Sequence, residues 1–583
     1  MFSVRTVLVL SFIAAAPAYP HAQGAPPGMP GTNQAILTSP YRIQPAFAVN
    51  GMVSAQDHIA ARVGADILKQ GGNAVDAAVA VGFAEAVTLP RAGNLGGGGF
   101  MMIYLADRKE TVAIDYRETA PAAATATMFL DDKGNPEPAK SRDSGLSVGV
   151  PGTVAGLALA HKLYGSGKLS LADLITPAVL LAHNGIVVND DLAEALPGAA
   201  SRLGRYPSTR KIFFNGDRPF QRGERLVQQD LAESLSEIAD GGPDAFYKGR
   251  IAQQFVAAVK TAGGVMAEDD LANYKPVIRK PVRGTYRGYE IASMPPPSSG
   301  GVHLIEILNI LEGADMNAAG AQSAAQLHLM TEAMRQAYAD RAAFLGDPDR
   351  VKIPVTGLIS KQYAEAMRKL IDPLKARKSS DVKAGDPLPH ESDQTTHFSV
   401  VDKDGNAVAN TYTLNFSYGL GLVAEGTGII LNNEMDDFSA KPGATNAYGL
   451  VGSDMNSVAP GARPLSSMTP TFLFKDGKLA LVTGSPGGSR IISTVLNVIV
   501  NVIDNKMSIA EAVAAPRPHH QWQPDALLVE EGFSPDTLQL LRDRGHKVVV
   551  GLPSGSANSI QVTPEGLFGA ADTRQRGTLA VGY

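Results

Sequence analysis

"QTTHFSVVDKDGNAVANTYTLN", residues 394–415, decides how this chain is read. Two runs rich in β-branched and aromatic residues, 395–401 and 407–413, flank Asp404-Gly405. Asp-Gly between such runs signals a β-hairpin. With Asp404 and Gly405 as the two central turn residues, Lys403 faces Asn406, and counting back brings Thr396 opposite Thr413. Thr395 then stands at the strand end, diagonal to Thr413 and within side-chain reach. Two hydroxyls therefore approach each other where a polar tract becomes a strand. Threonine also favours strands for packing alone, so the register leaves an ordinary strand end open as the plainer reading.

Upstream, "KARKSSDVKAGDPLPHESDQ" (375–394) is charged, contains prolines and lacks apolar periodicity. It predicts an exposed, mobile break in the chain. Downstream, "TPTFLFK" and "LALVTG" flank a second Asp-Gly pair, Asp476-Gly477, and predict another hairpin. Further out, "AARVGADILKQGG" and "NAVDAAVAVGFAEAV" carry helical signals, with Gly71-Gly72 as a stop and Asn73 as N-cap. "GGGGFMMIYLA" and "TVAIDY" suit buried strands. Helical periodicity dominates from about 153 to 370 and returns at "RIISTVLNVIVNVID" and "PDTLQLLRDRG". Strands on both sides of a helical middle predict one large layered α/β domain.

The chain has 583 residues, 44% apolar and 19% charged, which supports a large core. The net charge of −5 and the absence of a Lys/Arg block argue against nucleic acid or an anionic membrane as partner. There is no cysteine, which excludes disulfides, thiolate metal sites and a thiol nucleophile. Arg5, an apolar run at 7–15 and Ala16-Pro17-Ala18 form the pattern of a secretory signal, too short for a membrane span. Residues 1–24 are thus expected to be signal and lead-in, cleaved near Ala18 or a few residues later. The remainder is expected in the periplasm or secreted, with no membrane span.

Several motifs compete for the chemistry. "GLSVG" (145–149) matches a nucleophile elbow but lacks the preceding strand, and 60 glycines make chance matches common. "GNLGGGGF" (93–100) and "GSPGGSR" (484–490) lack the Lys-Ser/Thr of a phosphate loop. "GSPGGS" lies between a strand and a helix starting near Arg490, where free amides can face an anion. An oxyanion hole and a plain tight turn both fit it. "VDKDGN" lacks the remaining ligands of a calcium loop. His519 and His520 are adjacent and read as a structural pair near Trp522; neither metal nor cofactor is assigned.

"GNLGGGGFM", "DYRETAP", "MPPPSSGG", "QTTHFSVVDKDGNAV", "YTLN", "NNEMDDFS", "RPLSSMTPT" and "GSPGGSR" occur in one order along nearly the whole mature chain. In this the sequence resembles the γ-glutamyltransferases (γ-glutamyltranspeptidases) of the N-terminal nucleophile hydrolase superfamily, most closely the bacterial periplasmic type. The resemblance implies a four-layer αββα sandwich, one domain built from two autoproteolytic fragments. The cut falls between Gln394 and Thr395, giving a large subunit, 25–394, and a small one, 395–583, which stay associated.

The resemblance also implies roles. Thr395 is the nucleophile, activated by the α-amine that the cut creates, whose pKa of about 7.7–8.0 suits a base. Thr413 hydrogen-bonds the nucleophile region, and Gly487 and Gly488 supply oxyanion-hole amides. Arg117, with Ser466 and Ser467, holds the substrate α-carboxylate. Asn415, Glu434 and Asp437 accept from its α-ammonium. Tyr448 lies on a lid loop. Donors are glutathione and other γ-glutamyl amides; acceptors are water, amino acids or peptides. Two rivals remain. An acylase cleaving glutaryl side chains from cephalosporin-type amides would gain little from Glu434 and Asp437, because glutaryl has no ammonium. A non-catalytic periplasmic binder of γ-glutamyl compounds would need neither Thr395 nor cleavage.

Overall fold

The computed structural model describes residues 43–385, 396–441, 443–444, 450–451 and 453–583. The signal segment, the Gln394–Thr395 junction and Tyr448 lie outside them.

Two sheets are built around the two Asp-Gly hairpins. The first contains β2 (Met52–Ala55), β3 (Gly98–Leu105), β4 (Glu110–Tyr116) and β5 (Val277–Arg279). It is completed by β8 (Thr396–Val401), β9 (Ala407–Thr413) and β14 (Leu579–Gly582), in the order β14-β2-β8-β9-β3-β4-β5. The second holds β1 (Ala46–Ala48), β6 (Val282–Tyr286), β7 (Tyr289–Ser293) and β10 (Thr471–Lys475). With β11 (Lys478–Thr483), β12 (Ser559–Thr563) and β13 (Gly566–Ala570), its order is β1-β13-β12-β11-β10-β7-β6. Pairing is antiparallel throughout both.

Side chains alternate across each strand, and here both faces are apolar. In β3, Phe100 and Met102 point between the sheets, where they meet Phe472, Val482 and Ile560. Met101 and Ile103 point the other way, into helices α1 (His58–Lys69) and α2 (Ala74–Thr88). The second sheet is covered by α3 (Gly300–Glu312), α4 (Ala324–Phe344) and α5 (Arg490–Ile503). The layers are therefore helix, sheet, sheet, helix. All 15 residues of α2 are buried, and it starts as expected at Asn73, whose side chain accepts from the Val75 and Asp76 amides.

Three expectations need correction. The helical middle contains β5, β6 and β7, which join both sheets. Only part of the 375–394 tract is exposed: Ser379 and Val382 are buried. Arg335 donates to Ser379 Oγ, and the Trp522 indole donates to the Ser379 and Val382 carbonyls at 2.9 and 3.0 Å. One aromatic and one arginine thus dock a segment whose composition reads as mobile; residues 386–394 lie outside the described part.

The third correction is the register. Thr396 pairs with Tyr412, not Thr413. The turn is three residues, Lys403–Asp404–Gly405, closed by the Asp402 amide donating to the Asn406 carbonyl at 3.0 Å. The Asp402 carboxylate accepts from the Asp404 and Asn406 amides and fixes this longer turn. Gly405 takes the left-handed position at φ +84°. The second hairpin has the expected two-residue turn, with Lys475 opposite Lys478.

Candidate active site

Thr413 ends β9, one residue beyond the partner of Thr396. Its Oγ1 accepts from the Asn415 amide at 2.8 Å, and its carbonyl accepts from Asn94 Nδ2 at 2.8 Å. The glycine run beside it is a packing requirement: a Cβ on Gly97 would sit 1.9 Å from the Thr413 carbonyl oxygen. Asn415 turns the chain at φ +71° and donates from Nδ2 to the Asn433 carbonyl at 2.9 Å. That contact fixes the next segment, the 3₁₀ turn Glu434–Asp437.

Arg117 follows β4 and is 0% exposed. One guanidinium nitrogen donates to Glu434 Oε1 and another to Asp437 Oδ2 at 2.5 Å. Nε donates to the Pro464 carbonyl at 3.0 Å, and Nη2 to the Leu465 carbonyl at 3.2 Å. Glu118, unassigned from sequence, lies 3.8 Å from the same guanidinium and is fully buried. A Cβ on Gly98, the partner of Thr413, would lie 2.6 Å from Glu118 Oε2. The acid cluster thus reaches the end of β9.

Three carboxyls around one guanidinium are more negative charge than a buried site can hold. Burial pushes Glu118 up to about 7 despite Arg117 and raises Glu434 well above the usual carboxylate range. The Arg117 guanidinium is held firmly charged by Glu434, Asp437 and Glu118 against its own burial.

Ser466 and Ser467 follow the two carbonyls that Arg117 engages. Ser466 Oγ accepts from the Met468 amide at 3.1 Å, and its carbonyl accepts from Ser299 Oγ at 3.0 Å. Ser467 Oγ accepts from Arg341, which also donates from Nε to Ser299 Oγ at 3.1 Å. Arg341 is buried and packs 5.7 Å from the centre of the Tyr338 ring. Tyr338 in turn donates to the Ser489 carbonyl. Ser298, Ser299 and Arg341 had no role from sequence. The "PPPSS" motif was the available signal; Arg341 carried none beyond helical period.

Gly487 and Gly488 stand in the turn from β11 to α5, with φ +131° and +65°. A side chain at Gly487 would meet Gly555 Cα at 3.1 Å. The start of this loop is tied to β8: a Cβ on Gly484 would lie 2.3 Å from the His397 ring. His397 is held down to about 3 by burial, so it is neutral, bonded to Thr411 Oγ1 and Ser399 Oγ at 2.9 and 3.0 Å. Arg117, Glu434, Asp437, Asn415, Thr413, Ser466 and Ser467 are therefore one connected group, and the glycine turn joins it through Tyr338 and Arg341.

The family model for gamma-glutamyltranspeptidase matches residues 60–582. The chain belongs to the γ-glutamyltranspeptidase family. It is 54% identical over 567 residues to the glutathione hydrolase proenzyme of Escherichia coli (strain K12), covering 96% of each chain. Its fold is similar to that of a cephalosporin acylase from Bacillus halodurans, with a TM-score of 0.83 at 28% identity, covering 94% of this chain and 98% of that one. It is also similar to the γ-glutamyltranspeptidase of Helicobacter pylori, with a TM-score of 0.56 at 46% identity, covering 59% of this chain and 97% of that one. The family's four-layer fold is the one described above.

Other motifs resolve as structure. In "GLSVG" the residues Gly145–Ser147 form a 3₁₀ turn, and Ser147 Oγ donates to the Ser144 carbonyl at 2.6 Å. His520 Nδ1 accepts from the Trp522 amide at 3.1 Å, and His519 shares a 2.8 Å bond with Ser493. Among the described residues no helix is long and apolar enough to cross a membrane.

Proposed function

We propose that this chain is made as a proenzyme, cuts itself between Gln394 and Thr395, and uses the freed Thr395 to transfer γ-glutamyl groups. The enzyme is a γ-glutamyltransferase and glutathione hydrolase. The observation that carries the site assignment is the buried Arg117 among three carboxyls, assembled at the end of β9 next to Thr413. The hairpin register supports it, since Thr413 stands one residue beyond Tyr412, the partner of Thr396. The solved H. pylori chain, matched over 97% of its own length while spanning 59% of this one, fits a fragment better than a whole precursor.

The cluster suits a γ-glutamyl head group. Burial raises Glu118 and Glu434, which marks an excess of acid, and an α-ammonium beside Glu434 and Asp437 can offset it. The α-carboxylate finds the Arg117 guanidinium with the Ser466 and Ser467 hydroxyls. Thr395 Oγ attacks the γ-carbonyl while its own α-amine takes the proton. The developing oxyanion meets the Gly487 and Gly488 amides. Collapse expels the leaving amine, which recovers the proton from the α-ammonium. Water or an acceptor amine then attacks the γ-glutamyl ester by the same steps in reverse. A cephalosporin acylase shares the fold, but a glutaryl group offers nothing to the ammonium-binding acids.

Mass spectrometry and a denaturing gel test the reading. Wild type gives two fragments meeting at 394/395. Thr395→Ala gives one uncut chain without activity; normal processing of that variant ends the nucleophile assignment. Matched γ-glutamyl and glutaryl anilides decide between transferase and acylase: γ-glutamyl is cleaved faster by at least about tenfold, from the lost ammonium contacts. Export to the periplasm or beyond, read from the N-terminal pattern, belongs to the same proposal.

A further inference from the structure

The tract 376–385 lies against α4 and is held along its length. Arg377 donates from Nε to Glu332 Oε2 at 2.7 Å and from Nη1 to Gln336 Oε1 at 3.2 Å. The Ser379 hydroxyl accepts from Arg335 Nη1 at 2.6 Å, and the Lys383 carbonyl accepts from Gln336 Nε2 at 3.2 Å. The Gly385 amide donates to Asp340 Oδ1 at 2.6 Å. Positions 332, 335, 336 and 340 follow helical spacing, so one face of α4 carries these contacts. Gly385 is required by packing: a Cβ there would lie 2.0 Å from the Tyr363 hydroxyl, which donates to the other Asp340 oxygen at 2.7 Å.

The remaining contacts come from the chain beyond residue 395. The Ala376 amide donates to the Arg544 carbonyl at 2.7 Å, and the Ser379 amide to Asp525 Oδ2 at 2.8 Å. Asp525 also pairs with Arg335, so α4, the tract and the later segment meet at one ion pair. Trp522, whose indole serves the Ser379 and Val382 carbonyls, is the only tryptophan of the chain. Its backbone takes the left-handed region at φ +63°. A bulky residue is held there only where its surroundings demand it. Lys378 and Lys383 stay exposed. The grip is therefore on the backbone and on Ser379, with Val382 buried between.

The last anchor, Gly385, stands eleven positions before Thr396, the first residue of β8. The chain that carries the 394/395 junction is thus tied at both ends to fixed elements. Freeing 378–385 would lengthen that tether from residues 386–395 to 378–395, close to double. Doubling a flexible loop lowers its chance of closing by about two- to threefold.

We propose that residues 376–385 form a permanent strap, docked before and after the cut, and that Trp522, Asp525 and Arg335 are positioning residues of self-cutting. They act through the strap, by presenting the junction on a short tether. The inference rests on the reading that the chain cuts itself at 394/395. It also limits the new end of the large fragment, Gln394, to roughly 30 Å from Gly385.

The test uses Trp522→Phe, which keeps an aromatic ring and removes the N–H, and Ser379→Ala, which removes one hydroxyl. Pulse-labelled full-length precursor is followed to its two fragments. Each variant cuts about two- to threefold more slowly than wild type. The kcat/KM for γ-glutamyl-p-nitroanilide, per mole of cut enzyme, is unchanged. A general loss of structure would lower both. Trypsin reads the docking itself: Lys378 and Lys383 resist equally in uncut Thr395→Ala and in cut wild type, and are cleaved faster in the strap variants. Ready cleavage at either lysine in cut wild type overturns the permanent strap. Unchanged cutting rates, or a turnover that falls together with cutting, overturn the positioning role. If Trp522→Phe does not fold, Ser379→Ala decides alone. Wild type that never cuts ends the functional reading; wild type that cuts at the variants' rate ends only this proposal.

Discussion

Arg117 and Arg490 stand in opposite electrostatic states. Arg117 is fully buried and has Glu118, Glu434 and Asp437 within 4 Å. Arg490 is partly exposed and has no described partner. The difference follows from solvation. A guanidinium removed from water must be paired, because an isolated buried charge costs several kcal/mol. One that water still covers can be left open. In the proposed function the Arg117 cluster binds its ligand by exchange, a zwitterion taking over contacts already made within the protein.

The comparison breaks most easily at its deep end. Arg117→Met leaves three buried carboxyls with no cation. Removing one partner of a buried pair costs about 3–5 kcal/mol. We expect kcat/KM for γ-glutamyl-p-nitroanilide to fall by ~10³ and the thermal midpoint to drop with it. Less than tenfold in steady-state kinetics would mean that Arg117 is not the head-group anchor.

The smallest effect sharpens the account of the acid surplus. Glu118 has its folded pKa raised to about 7 by burial, so the folded protein holds that proton more tightly than the unfolded chain. Its contribution to stability is greatest below about pH 4.5 and is lost as pH rises to about 7. Glu118→Gln removes that loss, of roughly 1–3 kcal/mol. Thermal midpoints measured from pH 4.5 to 7.5 should decline less in the variant than in wild type. Glu434, shifted in the same sense, keeps some slope in both. Parallel curves would show that Glu118 carries no strained charge.

The two hairpins show how far the sequence can be read. Both contain Asp-Gly between apolar runs. At Asp476-Gly477 the two-residue turn holds, with φ +50° and +73° at its centre. At Asp404-Gly405 the side chain of Asp402 captures two downstream amides and lengthens the turn by one residue. The propensity signal is the same; a side-chain bond from outside the dipeptide decides. The one-residue slip moves Thr413 from opposite Thr396 to the next position along.

The candidate site divides in a similar way. Arg117, Glu434, Asp437, Asn415, Ser466 and Ser467 were legible because their motifs occur together and in order. Glu118 was in view, next to Arg117, but neighbouring charges in a sequence say nothing about a shared burial. Arg341 and Tyr338 were invisible as site residues. They lie on a 21-residue helix whose period announces only a helix, and they meet Ser467 and Ser489 across more than a hundred residues.

The sequence by itself determined the layered α/β class, the principal hairpins, the family and the residue types that its chemistry needs. These follow from local propensity and from motif order, both written along the chain. Only the tertiary structure decided the register at Thr413, the docking of Ser379 and Val382 under Trp522, the acid surplus around Arg117 and the lack of a described ion-pair partner at Arg490. Each depends on which side chains share a desolvated space, and that is fixed by packing between distant segments.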